Sequence, residues 1–232
     1  QLNLGGSSPI VVVADGADIS TKAVSNTNAD ATLWLSGADT DLTQVATSLK
    51  LRLKNFDGKT ITVKDSQDLY LDAEFDQTAS TAIPIFDHIT DASTLTTNTI
   101  TLKTVDSDTS NGDATLAIAG LKFVDIQTVN LQLLDTIGLD SSADIIGDDL
   151  ANVVVSGSGS FNLNTNTISG SGTSSVTLDA SSLSGIATLY LDATNNGVAN
   201  VKTGSAADII TIDGVTTDAA GYIIETNGAA DT

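Results

Sequence analysis

The segment Leu69-Tyr-Leu-Asp-Ala73 decides the predicted fold, because it recurs identically as Leu189-Tyr-Leu-Asp-Ala193 and in a related form as Val176-Thr-Leu-Asp-Ala180. Apolar and polar residues alternate in each copy, which is the period of a β-strand. The flanking apolar residues are predicted to face inward, and the aspartate is predicted to begin an outward turn. Such repetition favours a β-solenoid, in which like side chains stack from one coil to the next.

Short alternating runs continue through the rest of the chain. Clear examples are 49–53, Thr60–Val63, Thr99–Val105 and 129–133, each bounded by Gly, Asn, Asp or Ser. This pattern is typical of strands joined by tight turns. The sequence therefore predicts an all-β fold of the β-solenoid or β-roll type, with a β-sandwich-like arrangement as an alternative for the N-terminal part.

The strand spacing changes along the chain. It is irregular over residues 1–150 and tighter over 151–232, where glycines recur between the strands. We therefore expect a β-rich first region and a solenoid-like second region, divided near residue 150. The chain has no initiator methionine and stops directly after a turn, so we also expect it to be a fragment of a longer protein.

The charge balance restricts the partners of the protein. The 232 residues include 9 basic and 29 acidic side chains, giving a net charge of −20. A nucleic-acid partner is not expected, because no basic stripe is visible in the sequence. The chain has no run of ~18 apolar residues that could form a membrane-spanning helix. The absence of cysteine excludes disulfides and thiolate metal sites.

The sequence predicts no catalytic centre. His88 is the only histidine and follows Asp87, but no nucleophile is indicated to complete a triad. Carboxylate pairs of the glycosidase kind are expected by chance in so acidic a chain. The basic residues are spread along the sequence, and Trp34, Tyr70 and Tyr190 are scattered. An enzyme is therefore not expected.

Calcium is the candidate structural ion, because hard cations take oxygen ligands from Asp, Asn and backbone carbonyls. One candidate loop is Asp106-Ser-Asp-Thr-Ser-Asn-Gly-Asp113, which matches an Asp-x-Asp-x-Asp-Gly loop with one residue inserted and without the terminal Glu. Two further turns contain Ala-Ala-Asp. The alternative for all of these loops is a solvated bend. The candidate ligands are Asp106, Asp108, Asn111, Asp113, Asp208, Asp213, Asn227 and Asp231.

The segments 176–185, 189–194 and 198–213 resemble the RTX-bearing surface-layer proteins of Gram-negative bacteria, and 121–131 is similar to another segment of that family. Within the RTX nonapeptide pattern, Gly204, Asp208 and Ile210 match the second glycine, the aspartate and the apolar position. Thr203 and Ala206 stand where glycine is expected. The resemblance implies a secreted protein, exported by a type I pathway, that forms a calcium-locked coat on the cell surface.

The leading hypothesis is therefore a non-enzymatic subunit of an extracellular bacterial surface layer or filament that assembles with copies of itself and has calcium as a candidate stabilising ion. Cell-surface polysaccharide is a second candidate partner. The alternatives are an adhesin stalk that carries a binding module and, less favoured, a β-helical enzyme that acts on polysaccharide.

Overall fold

The computed structural model describes residues 2–4, 11–15, 24–26, 31–37, 39–54, 58–72, 83–90, 97–105, 115–134, 136–141, 144–163, 168–170, 176–192, 198–213 and 223–232. These residues form 23 β-strands and no helix. The first eleven are β1 (Leu2–Leu4), β2 (Val11–Asp15), β3 (Val24–Asn26), β4 (Thr32–Ser36), β5 (Thr40–Asp41), β6 (Lys50–Lys54), β7 (Thr60–Val63), β8 (Asp68–Asp72), β9 (Ile85–His88), β10 (Thr99–Val105) and β11 (Thr115–Ile118). The remaining twelve are β12 (Leu121–Val124), β13 (Thr128–Leu133), β14 (Gly138–Ser141), β15 (Ile145–Gly147), β16 (Asn152–Gly157), β17 (Phe161–Asn162), β18 (Ile168–Gly170), β19 (Val176–Leu183), β20 (Ala187–Asp192), β21 (Val198–Lys202), β22 (Ile209–Asp213) and β23 (Ile223–Glu225).

The strands stack into three long parallel sheets. Sheet 1 has ten strands in the order β2-β4-β6-β8-β10-β13-β16-β19-β21-β23. Sheet 2 has six strands in the order β18-β15-β12-β9-β7-β5, and sheet 3 has five in the order β11-β14-β17-β20-β22. Strands β1 and β3 form a separate parallel pair. The predicted all-β solenoid is confirmed.

The path of the chain shows how the coils are built. From β10 the chain visits sheet 3 at β11, sheet 2 at β12 and sheet 1 again at β13, so one coil contributes one strand to each sheet. From β4 to β9 the strands alternate between sheets 1 and 2 only. These N-terminal strands pair in parallel, unlike the antiparallel strands of a β-sandwich. Sheet 1 continues across residue 150, where β13 pairs with β16.

Alternation within each strand builds the core. Strand β13 has alternating half-buried and buried residues along its whole length. Paired positions in sheet 1 bring Leu33, Leu51, Leu69, Leu102 and Leu131 into one buried row across five coils. Such stacking removes apolar surface from water in every coil, at about 25 cal/mol per Å². The core is therefore one continuous column of aliphatic side chains.

Phenylalanines reinforce this column from the other sheets. Phe86 and Phe123 are paired across sheet 2, and their rings stack with centroids 5.7 Å apart. Phe161 lies in sheet 3, and all three side chains are fully buried.

The recurring segment that predicted the solenoid does not itself stack. Leu69 and Leu71 lie in sheet 1, whereas Leu189 and Leu191 lie in sheet 3, so the two copies occupy different sides of the coil. All four leucines face inward as predicted. The predicted outward turn at the aspartate is wrong for Asp72, which is 0% exposed and accepts a hydrogen bond from Arg52 Nη1 at 3.4 Å. Coil lengths vary, so identical segments need not fall in register.

Buried amides tie the corner between sheets 2 and 1. Asn98 Nδ2 donates to the carbonyl oxygens of Thr90 and Asp125, at 2.6 and 2.7 Å. The backbone N–H of Asn98 donates to Gln127 Oε1 at 2.6 Å. One coil earlier, Gln67 Nε2 donates to the Leu42 carbonyl at 2.6 Å. Backbone carbonyls that leave the sheets at this corner are thus satisfied by side chains, as burial requires.

One glycine shows how closely the coils approach each other at the corner between sheets 1 and 3. A Cβ atom on Gly159 would lie 2.1 Å from the carbonyl oxygen of Ile137 in the preceding coil. Only a residue without a side chain fits there.

Among the described residues, no helix is long and apolar enough to cross a membrane.

Candidate functional site

The two Ala-Ala-Asp turns that the sequence analysis singled out lie in successive coils and stack. The Asp208 amide N–H donates to Asp231 Oδ1 at 3.0 Å. Asp208 Oδ1 in turn accepts from the Ala187 amide N–H at 2.8 Å. Each aspartate therefore caps a backbone donor of the coil before it, and the two carboxylates join three coils.

Backbone and amide contacts hold these turns in place. The Asp208 carbonyl accepts from the Thr232 amide N–H at 3.0 Å, and the Thr232 carbonyl accepts from Ile210 at 2.8 Å. Asn227 Nδ2 donates to the Thr203 carbonyl at 3.1 Å. At Gly204, a Cβ atom would lie 1.8 Å from the Leu183 carbonyl oxygen, so close stacking requires glycine here.

Two polar atoms at this turn lack a hydrogen-bond partner. Asp208 is 1% exposed, and its Oδ2 has no partner among the described residues. Thr203 is fully buried, and its Oγ1 is likewise unpartnered within the described part of the chain. A buried carboxylate oxygen without a donor is costly unless a cation or water satisfies it.

The donor set at the turn fits a cation only in part. The free Oδ2 of Asp208 is a suitable hard ligand, and the Asn227 side chain and Asp231 come from the adjacent turn. However, Oδ1 of each aspartate is engaged by a backbone donor. The described residues also contain no group of three His, Cys, Asp or Glu side chains placed to hold a metal. Calcium binding at this turn therefore stays a prediction.

Asp213, another predicted ligand, does not join this turn. Asp213 ends β22, whereas Asp208 precedes it, so their Cα atoms are on the order of 16 Å apart at the rise of a β-strand. Asp213 Oδ2 accepts from the Tyr190 hydroxyl at 2.6 Å. The loop ligands Asp106, Asp108, Asn111 and Asp113 lie outside the described residues.

A second candidate site, which the sequence analysis missed, lies on the outer face of sheet 1. Trp34, Arg52, Tyr70 and Lys103 occupy paired positions on β4, β6, β8 and β10. They form a row in which aromatic and cationic side chains alternate from coil to coil. Stacking of the coils thus brings together two aromatic and two basic side chains that looked scattered along the sequence. This row, with Lys50 and Lys54 of β6, is called the cationic ladder below.

The sequence carried one signal for the cationic ladder. Strand β6 reads Lys-Leu-Arg-Leu-Lys, with buried leucines between half-buried cations. Because alternate residues of a strand point to the same face, Lys50, Arg52 and Lys54 share the outer face of sheet 1.

Burial and the neighbouring Asp68 together shift the pKa values of Tyr70 and Lys103 in the ladder. Lys103 Nζ forms an ion pair with Asp68 Oδ1, and the Tyr70 hydroxyl donates to Asp68 Oδ2 at 3.1 Å. Burial alone lowers the pKa of Lys103, but the hydrogen bond to Asp68 and its charge outweigh burial and raise that pKa. The pKa of Tyr70 is raised, first by burial and then by the charge of Asp68. Lys103 is therefore held as a cation and Tyr70 as a neutral phenol.

His88, the only histidine, lies in β9 as a buried strand residue. Its Nδ1 accepts from the Thr90 amide N–H at 3.2 Å, and its Nε2 lies 3.4 Å from Asp65 Oδ1. Asp65 is largely exposed, and its Oδ1 also accepts from the Thr99 amide N–H at 3.3 Å. Within the described residues, the polar neighbours of the His88 ring are therefore Thr90 and Asp65.

Comparison with known proteins adds no assignment: no protein-family model, no curated protein and no solved structure matches this chain.

Proposed function

We propose that this chain is a structural subunit of an extracellular bacterial surface layer or filament, in which copies join through the exposed apolar side chains of β22 and β23. The supporting observation is the edge formed by β22 and β23, which among the described strands have a strand neighbour on one side only. The start of β22 already pairs with Thr232 through the Ile210 N–H, and the rest of the edge carries apolar side chains that extend the core. The acidic composition and the resemblance to surface-layer proteins are consistent with a secreted protein on the cell surface.

The apolar side chains of this edge continue the inner rows of the solenoid. Ile212 pairs with Leu191, and Ile224 pairs with Val201. Leu191 and Val201 are 4% and 0% exposed, whereas Ile212 is 39% exposed. Ile224 is only partly buried against the core. These isoleucines have the positions of core residues without the cover of a further coil in the described structure.

A strand from a neighbouring copy could pair with the backbone of this edge and cover its apolar side chains. Strand edges without a neighbouring strand are templates for pairing with another chain. Pairing of a second copy at β22 and β23 would continue the parallel sheets and bury the isoleucines. A heterologous contact of this kind generates open assemblies rather than closed dimers.

Ile212→Lys tests the assembly. The wild-type chain is expected to form ordered sheets or filaments in negative-stain electron microscopy, and Ile212→Lys is expected to abolish them because it places a charge in the apolar edge. Ile89→Lys is the matched control, since Ile89 is 54% exposed next to β9 and away from this edge. Circular dichroism would verify that both variants remain folded.

Two outcomes would contradict the assembly proposal. Isolated rods at every wild-type concentration would favour the adhesin-stalk alternative, in which the solenoid is only a spacer. Equal assembly by wild-type and Ile212→Lys chains would show that copies do not join at the β22–β23 edge.

Calcium is the proposed stabilising ion of the same assembly, with Asp208, Asp231 and Asn227 as the residues that would hold it. A bound cation would compensate the buried negative charge of Asp208, whose Oδ2 has no other partner among the described residues. Because Asp208 joins the coils that precede the β22–β23 edge, the ion would rigidify that edge.

Asp208→Asn separates a calcium site from a purely structural aspartate. Asparagine Oδ1 can still accept from Ala187, so the substitution removes the charge and keeps the cap. We expect calcium to raise the melting temperature of the wild-type chain, with a stabilisation of about 2.7 kcal/mol at 100-fold excess over Kd. The Asp208→Asn chain should show no such rise, whereas Asp140→Asn, a half-buried acid of β14, should behave like wild type.

A melting temperature that is the same in calcium and in excess chelator would remove calcium from the mechanism. In that case Asp208→Asn is expected to stabilise the chain, because it neutralises an uncompensated buried charge. Assembly would then be tested separately in chelator, so that loss of the ion and loss of the lattice are distinguished.

A further inference from the structure

We propose that the cationic ladder on the outer face of sheet 1 binds an acidic polysaccharide. The inference names a partner for the extracellular function proposed above and in that respect rests on it. The evidence for glycan binding comes from a different part of the molecule. Trp34, Arg52, Tyr70 and Lys103 lie on four consecutive coils of one sheet. At about 4.8 Å between coils, these side chains repeat on the scale of successive sugar units in an extended chain.

The aromatic rings hold the cations in place. Lys54 Nζ lies 4.0 Å from the centre of the Trp34 ring, and Arg52 Cζ lies 5.6 Å from it. Lys103 Nζ lies 5.2 Å from the centre of the Tyr70 ring. Cation–π contacts of this kind restrict long side chains that would otherwise sample many rotamers. The positive groups of Arg52, Lys54 and Lys103 are therefore positioned before a ligand arrives, which lowers the entropic cost of binding.

Two of the ladder cations remain available for an anionic ligand. Arg52 contacts Asp72 at 3.4 Å, and Lys103 is paired with Asp68. Within the described residues, Lys50 and Lys54 form no ion pair with a carboxylate. Their side chains are half-buried at the two ends of β6, on the same face as Arg52. The outer face of β6 thus presents local positive charge in a chain whose net charge is −20.

A polar groove lies beside the ladder and supplies neutral hydrogen-bonding groups. It has a volume of about 430 Å³. Its lining combines hydroxyl, amide, carboxylate and ammonium groups from three neighbouring segments: Thr47 and Ser48, Gln67 and Asp68, and Thr101 and Lys103. A second groove of about 390 Å³ adjoins it and is lined by Asp65, Ser66, Gln67 and three threonines. Hydroxyl-rich ligands with a few carboxylates match this combination.

The charge density favours a glycan over other polyanions. A nucleic acid would require neutralisation of closely spaced phosphates, whereas the ladder offers two cations that are not already paired. A uronic acid chain carries fewer charges among many hydroxyls. The remaining acidic surface of the protein is screened beyond about 8 Å at physiological ionic strength, so contacts at the ladder decide the binding.

Trp34 is the only tryptophan in the chain, so its fluorescence reports directly on the ladder. The experiment titrates dispersed, non-assembled protein with an oligogalacturonate, its fully methyl-esterified neutral form and an oligothymidylate, with calorimetry as a second measurement. We expect saturable binding of the oligogalacturonate. We expect binding of the neutral ester to be at least about tenfold weaker, which corresponds to 1.4 kcal/mol.

The variant Lys50→Gln/Lys54→Gln is expected to weaken oligogalacturonate binding about tenfold, again 1.4 kcal/mol. Its charge-matched control is Lys59→Gln/Lys122→Gln, which removes two lysines from the side of sheet 2 and should change the affinity less than twofold.

Several results would overturn the inference: an equal loss in both double variants, equal affinity for the acid and its ester, or binding of oligothymidylate as tight as that of the uronate. A fluorescence response only at protein concentrations where light scattering shows self-association would assign the ladder to contacts between copies. Because binding is measured on dispersed protein, it can succeed or fail independently of the assembly seen in microscopy.

Discussion

Phe123→Ala is expected to lower the free energy of unfolding by about 3–5 kcal/mol, because it leaves a cavity in the centre of the coil. Phe123 is fully buried in β12 and stacks on Phe86 of β9 with an interplanar angle of 23°. The rings belong to neighbouring coils, so the substitution also removes a contact that holds two coils together. Urea unfolding followed by circular dichroism measures the change.

Two further variants make this prediction specific. Phe123→Leu keeps most of the volume and should cost clearly less than Phe123→Ala. Combining Phe86→Leu with Phe123→Leu in a double-mutant cycle should give a coupling of about 0.5–1.5 kcal/mol from the ring pair. A loss below about 1 kcal/mol for Phe123→Ala would show that the coil collapses around the missing ring. Such a result would contradict the expectation that the substitution leaves a cavity.

Asn98→Asp is expected to destabilise the chain by at least about 2 kcal/mol, although it changes only one side-chain group. Asn98 is 3% exposed, and its Nδ2 donates to the carbonyls of Thr90, 8 residues earlier, and Asp125, 27 residues later. An aspartate at this position replaces two donated hydrogen bonds with contacts between a carboxylate oxygen and two carbonyl oxygens, which repel each other. Urea unfolding at neutral pH measures the loss.

The matched control for this position is Asn130→Asp. Asn130 is half-buried on the outer face of β13, where its Nδ2 donates weakly to Thr101 Oγ1 at 3.4 Å. We expect a change of no more than about 0.5 kcal/mol there. Equal effects at Asn98 and Asn130 would contradict the view that buried amides fix the corner between sheets 2 and 1.

The two candidate sites lie on different parts of the solenoid, which has a consequence for function. The stacked Asp208 turn and the isoleucine edge belong to the last coils of the described chain, whereas the cationic ladder lies on β4 to β10. Contacts between copies at the edge would leave the ladder exposed. Assembly and recognition of a glycan are therefore compatible in one subunit and can be removed by separate substitutions.

The sequence predicted the all-β class and the inward leucines for a local reason. Alternation of apolar and polar residues in strands such as β10 and β13 depends on the two-residue period of the backbone, and this period is visible without any tertiary contact. Glycines also mark the turns in the sequence itself. The close approach at Gly204, however, depends on the Leu183 carbonyl of another coil.

The candidate site was predicted less completely. The sequence singled out Asp208, Asn227 and Asp231, and the structure places them in stacked turns. The sequence could not show that Oδ1 of Asp208 accepts a hydrogen bond from the Ala187 N–H, since that contact joins residues separated by a full coil. The ladder was missed for the same reason: Trp34, Arg52 and Tyr70 become neighbours only when coils stack.

The sequence by itself thus determined the strands, their inward faces and the acidic character of the protein, because these depend on residue type and on neighbours one or two positions away. Only the tertiary structure decided the register between coils: it put the identical segments at Leu69 and Leu189 in different sheets, buried Asp72, and aligned aromatic and cationic side chains on sheet 1. Register depends on coil length, which varies along this chain, and it is set by packing across coils rather than by local propensity.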